Sequence, residues 1–189
     1  MTGLRIAIIS GSTRPGRVSE QVARWVLGIA QTRTDATFEL LDIADQHLPL
    51  FDEPIPPSMG KYQHAHTRAW AEKVASYDGF VFVTPEYNHG VPGALKNAID
   101  FVYAEWNNKA AGFVSYGSAG GVRAVEQLRQ VMAEVQVADV RMNPFFSLSD
   151  DFEQYRTFKP RAGSEDRVRM MLDQVVSWSK ALRTVRHPA

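Results

Sequence analysis

Short β-type runs alternate with amphipathic helical patterns along this 189-residue chain, and that alternation constrains the fold more than any other feature. The runs are Leu4–Ser10, Ala36–Asp42, Gly79–Thr84, Gly112–Tyr116 and a weaker Val135–Val140. Between them, Val18, Val22, Val26 and Ile29 form one helical stripe, and Leu95, Ile99, Val102 and Trp106 form a second. Ala124, Leu128, Val131 and Val135 make a third. Val168, Leu172, Val175, Ser179 and Leu182 repeat the spacing near the end, and Lys61 to Tyr77 reads as a less regular helix. Strands alternating with helices predict the α/β class, a mostly parallel doubly wound sheet with helices on both faces.

The length favours a single domain over residues 1–189, large enough to bury roughly 70% of its unfolded surface without staples. Lys plus Arg equals Asp plus Glu at 21 each, so no global field recruits nucleic acid or an anionic membrane. The absence of cysteine removes disulfides, thiolate catalysis, Fe–S clusters and Cys-based zinc sites. An apolar strand is reached by Leu4, which leaves no room for a signal peptide. No apolar run approaches the ~20 residues that would span a bilayer, and a cytoplasmic protein is expected. Two stretches break the rhythm. Asp45 to Gly60 holds four prolines and reads as a surface loop. Met142 to Gly163 is long and aromatic, either a functional loop or a flap packing on the sheet or on a partner subunit.

Three strand-to-helix loops carry the chemical signals. Ser10 to Ser19 reads SGSTRPGRVS, where hydroxyls, glycines and arginines meet the free N–H groups of a helix start, a setting suited to phosphate. Its Gly11 to Gly16 spacing imitates a P-loop, yet Arg17-Val18 stands in place of Lys-Ser/Thr, which argues against an NTPase. The alternative is a polar turn with Ser19 as a helix cap. Thr84 to Asp100 reads TPEYNHGVPGALKNAID and follows the third strand, at the sheet end where ligands bind in open α/β folds. Pro85, Asn88, Gly90 and Gly93 shape its backbone, and Glu86 and Tyr87 are the side chains it presents. A βα turn that only caps a helix would leave most of that string unexplained. Ser115 to Gly121 reads SYGSAGG. It lacks the G-x-S-x-G frame of a serine nucleophile, and its glycines suit either a flat ligand or close helix packing.

The histidines are His47, His64, His66, His89 and His187. His64 and His66 fall in the predicted helix, where i and i+2 diverge and share no metal, so no metal site is expected. Only His89 is a site candidate.

GSTRPGR after the first strand, PEYNHGVPGALKNAID after the third and SYGSAGGVRA after the fourth together resemble the NAD(P)H-dependent FMN reductase family of flavodoxin-like proteins. The resemblance spans about Arg5 to Val140. One departure is Gly90, where many relatives carry Ser two residues after the motif's Asn. The resemblance implies a five-stranded parallel sheet in the order 2-1-3-4-5, with FMN at the switch point between the first and third strands. It assigns Ser10, Ser12, Arg14 and Ser19, with Arg17 nearby, to the FMN phosphate. Pro85, Glu86, Tyr87 and Asn88 would line the isoalloxazine. Ser115 to Gly121 would form the opposite wall, with Gly117, Gly120 and Gly121 letting the ring lie close, and Arg123 would reach a phosphate of the nicotinamide nucleotide.

Such an enzyme passes hydride from NADPH or NADH to flavin, and then to a small acceptor such as a flavin or quinone, so no side chain is assigned as an obligatory acid or base. Two other functions stay open from the residues. A flavodoxin-like electron carrier is usually strongly acidic, and this chain is neutral. A phosphorylated-ligand binder without redox chemistry leaves the two ring-facing loops unexplained. Ala94, Ala98 and Phe101 widen the apolar face of the helix after the third strand, which reads as a subunit interface. The resemblance likewise implies a homodimer or homotetramer.

Overall fold

The computed structural model describes residues 3–186, and His187 lies outside them. Strands β1 (Leu4–Ser10), β2 (Ala36–Asp42), β3 (Gly79–Pro85), β4 (Lys109–Gly117) and β5 (Val137–Asp139) are parallel, in the order β2-β1-β3-β4-β5. Helices α1 (Ser19–Ala30), α2 (Ala65–Ala75), α3 (Gly93–Asp100), α4 (Val122–Glu134) and α5 (Ser164–Arg186) cover the sheet. Successive strand residues point to opposite faces. Along β1, Ile6 and Ile8 pack with Val22, Val26, Val168 and Val175 of α1 and α5. Ala7 and Ile9 pack with Trp70, Leu95 and Leu128 of α2, α3 and α4. Each fully buried Ile or Phe contributes about 1.5–3 kcal/mol, so both faces drive folding. The expected doubly wound, flavodoxin-like sheet is the one observed.

The fifth strand position differs from expectation because it is split. Val135 ends α4 instead of starting a strand. β5 pairs only Lys109–Ala111 of β4, and a further strand, β6 (Phe145–Ser147), pairs Ser115–Gly117 in parallel. Pro144 sits between the two and has no N–H to donate. The Asn143 side chain donates instead to the Phe113 carbonyl at 3.2 Å. The region expected as an irregular flap therefore contains β6 and a small antiparallel hairpin, β7 (Phe152–Glu153) with β8 (Thr157–Phe158). Its aromatic residues pack within the chain: Trp25 of α1 meets Phe146 and Phe158 edge-on at 5.6 and 5.4 Å.

Two helix ends also moved. α3 stops at Asp100 although its apolar stripe runs on to Trp106. The indole of Trp70 donates to the Ala98 carbonyl at 2.7 Å and that of Trp106 to the Ile99 carbonyl at 3.1 Å. These bonds satisfy carbonyls a continuing helix would have used. Ala98 and Phe101 are buried within the protomer, so the face read as an interface is consumed by the chain's own core. α2 begins at Ala65, not Lys61, because the buried Glu53 carboxylate accepts the N–H groups of Gln63 and His64 at 2.8 and 2.9 Å. Burial alone would raise the Glu53 carboxyl, but these bonds outweigh it and hold it at about 2. His64 is thereby extended, and the His64 and His66 rings stack at 5.2 Å instead of diverging.

At the amino-terminal end of the strands, Lys109 is buried. It donates to the Val74 and Ala75 carbonyls at the end of α2 at 2.8 and 3.3 Å. Burial, then the neighbouring Arg186 charge, lowers its amine to about 7. All three motif loops lie at the opposite end.

Candidate active site

β1 and β3 are neighbours, yet the helices that follow them pack on opposite faces, α1 with one core and α3 with the other. That divergence opens a crevice at the carboxyl ends of the central strands. The first loop is tied into it by a bond from the Gly11 N–H to the Val83 carbonyl at 2.9 Å. Ser10, Ser12 and Ser19 are all buried. The Ser10 and Ser19 hydroxyls bond each other at 3.1 Å, and the Ser12 hydroxyl bonds that of Tyr87 at 2.8 Å. Ser19 is the first residue of α1 and does not cap it; Val18 holds the cap position without a side-chain bond. Ser10 and Ser19 thus brace the loop from beneath, while Thr13 to Gly16 stay exposed.

In the second loop the Glu86 N–H donates to the Tyr116 carbonyl at 3.1 Å. Tyr87 and Gly90 exchange both backbone bonds at 3.0 Å around Asn88 and His89, whose φ values are +50° and +67°. This is a turn with both central residues left-handed. It places Asn88 and His89 on an exposed tip, and Gln127 holds the His89 carbonyl at 2.8 Å. In the third loop the Ser115 hydroxyl donates to the Gly120 carbonyl at 2.7 Å, which folds the glycines back over β4. Gly120 and Gly121 have φ of +72° and +74°. A Cβ on Gly120 would lie 2.6 Å from the Phe145 ring, and one on Gly121 would lie 2.8 Å from both Tyr116 backbone N and O.

The three loops enclose a cavity of about 250 Å³ lined by Arg14, Pro85, Glu86, Tyr87 and Gly117, with Tyr116 and Tyr155 completing it. Of the residues singled out in the sequence, these first five meet in the cavity, and Ser10, Ser12, Ser19, Ser115, Gly120 and Gly121 support its walls. Asn88 and His89 do not reach it. Arg17 does not line the cavity, and its guanidinium is paired with Asp42 at 2.7 Å at the end of β2. Its Nε is buried without a partner.

Glu86 is almost fully covered and ion-paired with Arg123. The Arg123 backbone N–H and Nε donate to it at 3.1 and 2.6 Å. Burial would raise the Glu86 carboxyl, yet Arg123 holds it below the usual range. A carboxylate so committed does not serve as a base, and Arg123, although its side chain stays 44% exposed, already spends Nε and Nη2 on Glu86. Burial also raises the Tyr116 hydroxyl, which stays neutral.

Tyr116 was expected only as part of the Ser115–Gly121 wall, and Tyr155 was not predicted in the site. Tyr155 sits at the tip of the β7–β8 hairpin, where Gln154 and Tyr155 have φ of +51° and +58°. No Gly or Asn marks that turn, so the usual hairpin signal is missing. Gln21 of α1 secures the hairpin, donating to the Arg156 carbonyl at 2.9 Å and accepting from the Phe158 N–H at 3.0 Å.

Residues 4–151 match the family model for NADPH-dependent FMN reductase. The chain belongs to that family. It is 36% identical over 190 residues to an NAD(P)H-dependent FMN reductase of Nectria sp., covering 90% of this chain and 94% of that one. It is 37% identical over 135 residues to a quinone reductase of Escherichia coli, covering 68% of this chain and 69% of the relative. The flavoenzyme NAD(P)H:acceptor oxidoreductase FerB of Paracoccus denitrificans shares the fold, with a TM-score of 0.71 at 19% identity over 94% and 98% of the two chains. As an FMN reductase family member, the chain is an oxidoreductase with FMN as cofactor and NAD(P)H as co-substrate. The residues present fit that cofactor. Among the described residues the buried Arg17 Nε has no partner and Arg14 makes no ion pair, and both flank an exposed turn suited to a phosphate, while the Cβ-free glycine wall suits a flat ring. The hairpin bearing Tyr155 lies beyond the family-matched residues.

Proposed function

We propose that this single-domain, cytoplasmic reductase passes electrons from NAD(P)H to a small quinone-type acceptor, with FMN held in the three-loop cavity. The observation that carries the reading is the convergence of the loops after β1, β3 and β4 on one crevice, one loop rich in donors and another stripped of Cβ atoms. The likeness to a quinone reductase supports the acceptor class. Bound FMN supplies the hydride relay between nicotinamide and acceptor. This chain's residues supply position. Ser12, Arg14, Arg17 and the Thr13–Gly16 backbone bind the phosphate, braced by Ser10 and Ser19. Pro85, Glu86 and Tyr87 hold one side of the ring and the Ser115–Gly121 loop the other, with Asn88 at the rim. The Glu86–Arg123 pair fixes the relative position of the two ring-facing loops, and Tyr155 narrows the space left for an acceptor.

A homodimer or homotetramer is part of the proposal. Leu50 and Met59, 86% and 59% exposed in the Pro-rich loop, leave apolar surface available for such contacts. Protein loaded with FMN should be yellow, lose its colour on adding NADPH or NADH, and regain it with a quinone. Protein that stays colourless with FMN and oxidises no NAD(P)H with any quinone or dye ends this reading.

A further inference from the structure

The charge of Arg123 is already neutralised by Glu86, whereas an additional phosphate on a nicotinamide dinucleotide is best met by cations that no carboxylate neutralises. Arg14 belongs to the flavin-phosphate turn. Across the glycine loop from the cavity lies a groove of about 370 Å³, walled by Glu126, Arg129, Arg141, Met142, Phe145 and Arg167, three arginines against one carboxylate. A second cavity of about 300 Å³ shares Phe145 and Arg167 and continues to the start of α5 at Ser164.

The charges of this groove are not all spent internally. Arg129 is paired with Asp139 and, at 3.5 Å, with Glu126. Arg161 is paired with the buried Asp151. Among the described residues neither Arg141 nor Arg167 pairs with a carboxylate, since every ion pair nearby uses other arginines. Arg167 instead lies over the Phe145 ring, its guanidinium carbon 4.5 Å from the centroid. Phe145 in turn rests against Gly120, the ring wall of the cavity. β6 fixes this contact, because Phe145 is in register with Ser115. A continuous path therefore runs from Gly117 over Gly120 and Phe145 to two unpaired guanidinium groups.

We propose that this groove is the subsite for the adenosine 2′-phosphate of NADPH, with Arg167 and Arg141 on the phosphate and the half-exposed Phe145 and Met142 beneath the adenine. The assignment rests on the FMN-dependent reading above and adds to it a preference for NADPH over NADH. Planar guanidinium forks suit phosphate oxygens and stack on aromatic faces, which a lysine cannot do.

The test titrates 2′,5′-ADP and 5′-AMP calorimetrically into flavin-free protein, wild type and the variants Arg141→Gln and Arg167→Gln. Wild type should bind 2′,5′-ADP more tightly than 5′-AMP. Each variant should weaken 2′,5′-ADP about tenfold, the cost of one charge-assisted bond, and 5′-AMP much less. In FMN-loaded protein the same variants should raise KM for NADPH about tenfold while KM for NADH and FMN affinity hold. The proposal is overturned if wild type does not bind 2′,5′-ADP, if the double variant binds it equally well, or if KM for NADH rises in step with that for NADPH. The titrations need no flavin, so they decide the subsite even if FMN fails to bind, which would count only against the flavin reading.

Discussion

The glycine wall gives the sharpest quantitative prediction, because three glycines share nearly the same backbone angle in different surroundings. Gly16, Gly120 and Gly121 have φ of +71°, +72° and +74°. An alanine in the left-handed region costs about 1–2 kcal/mol, partly offset by about 0.4–1 kcal/mol from a less flexible unfolded chain. At Gly16 a Cβ would meet nothing within 4 Å, so Gly16→Ala should cost about 1 kcal/mol or less. At Gly120 the Cβ would press on Phe145, whose exposed ring can shift, and overpacking adds about 1 kcal/mol. At Gly121 it would strike the Tyr116 backbone from two sides, inside the sheet, where nothing can move. Gly121→Ala should therefore cost about 3–4 kcal/mol, or roughly 10 °C in Tm for a chain of this size. Thermal unfolding of the three variants checks the order, and flavin fluorescence quenching checks the function. FMN affinity should fall most for Gly121→Ala, next for Gly120→Ala, and least for Gly16→Ala. Equal stability of the Gly121 and Gly16 variants would refute the argument that the wall is built on missing Cβ atoms.

Other predictions address single groups. Tyr87→Phe removes the 2.8 Å bond to Ser12 and should loosen FMN about fivefold, a loss of about 1 kcal/mol, as read by fluorescence titration. Tyr155→Ala should alter kcat/KM unequally for large and small quinones while FMN affinity stays within about twofold, a pattern that steady-state assays over a quinone series would test. Lys109 predicts a pH dependence. Its folded pKa, near 7, lies below its unfolded value of 10.5, so between these the unfolded chain binds more protons. Stability from this group therefore rises with pH through that window, by up to about 1.4 kcal/mol per unit. Denaturant unfolding at pH 7.5 and 9 should show wild type gaining about 2 kcal/mol more than Lys109→Met.

The strand order and the three loops were legible because each rests on a local signal: short apolar runs for the strands, and Pro, Gly and hydroxyl clusters for the loops. The pairings that decide what the site residues do were not. Arg17 with Asp42, and Arg123 with Glu86, lie 25 and 37 positions apart and meet only through the parallel register. From the sequence alone Arg17 could be set beside the phosphate and Arg123 beside the nucleotide, but not their pairing with Asp42 and Glu86, since nothing local reveals a distant carboxylate. Similar reasons hid the start of α2, set by Glu53 from ten residues upstream, and the end of α3, set by two indoles. The β7–β8 hairpin escaped because strands of two residues are too short for alternation to register.

The parallel pairing of β1, β3 and β4 has a kinetic consequence. Ser10 lies opposite Val83, and Thr84 opposite Ser115, so the crevice joins segments separated by long stretches of chain. Closing such loops costs entropy before their contacts repay it, and parallel crossovers are among the slower events in folding. None of the loops forms a flavin pocket alone. Capture of FMN should therefore be a late step of refolding, after the central strands have aligned, and the ligand then stabilises the whole sheet by mass action. In a stopped-flow refolding experiment the flavin's quenching would time the docking of the central strands, making the cofactor a built-in reporter of the fold.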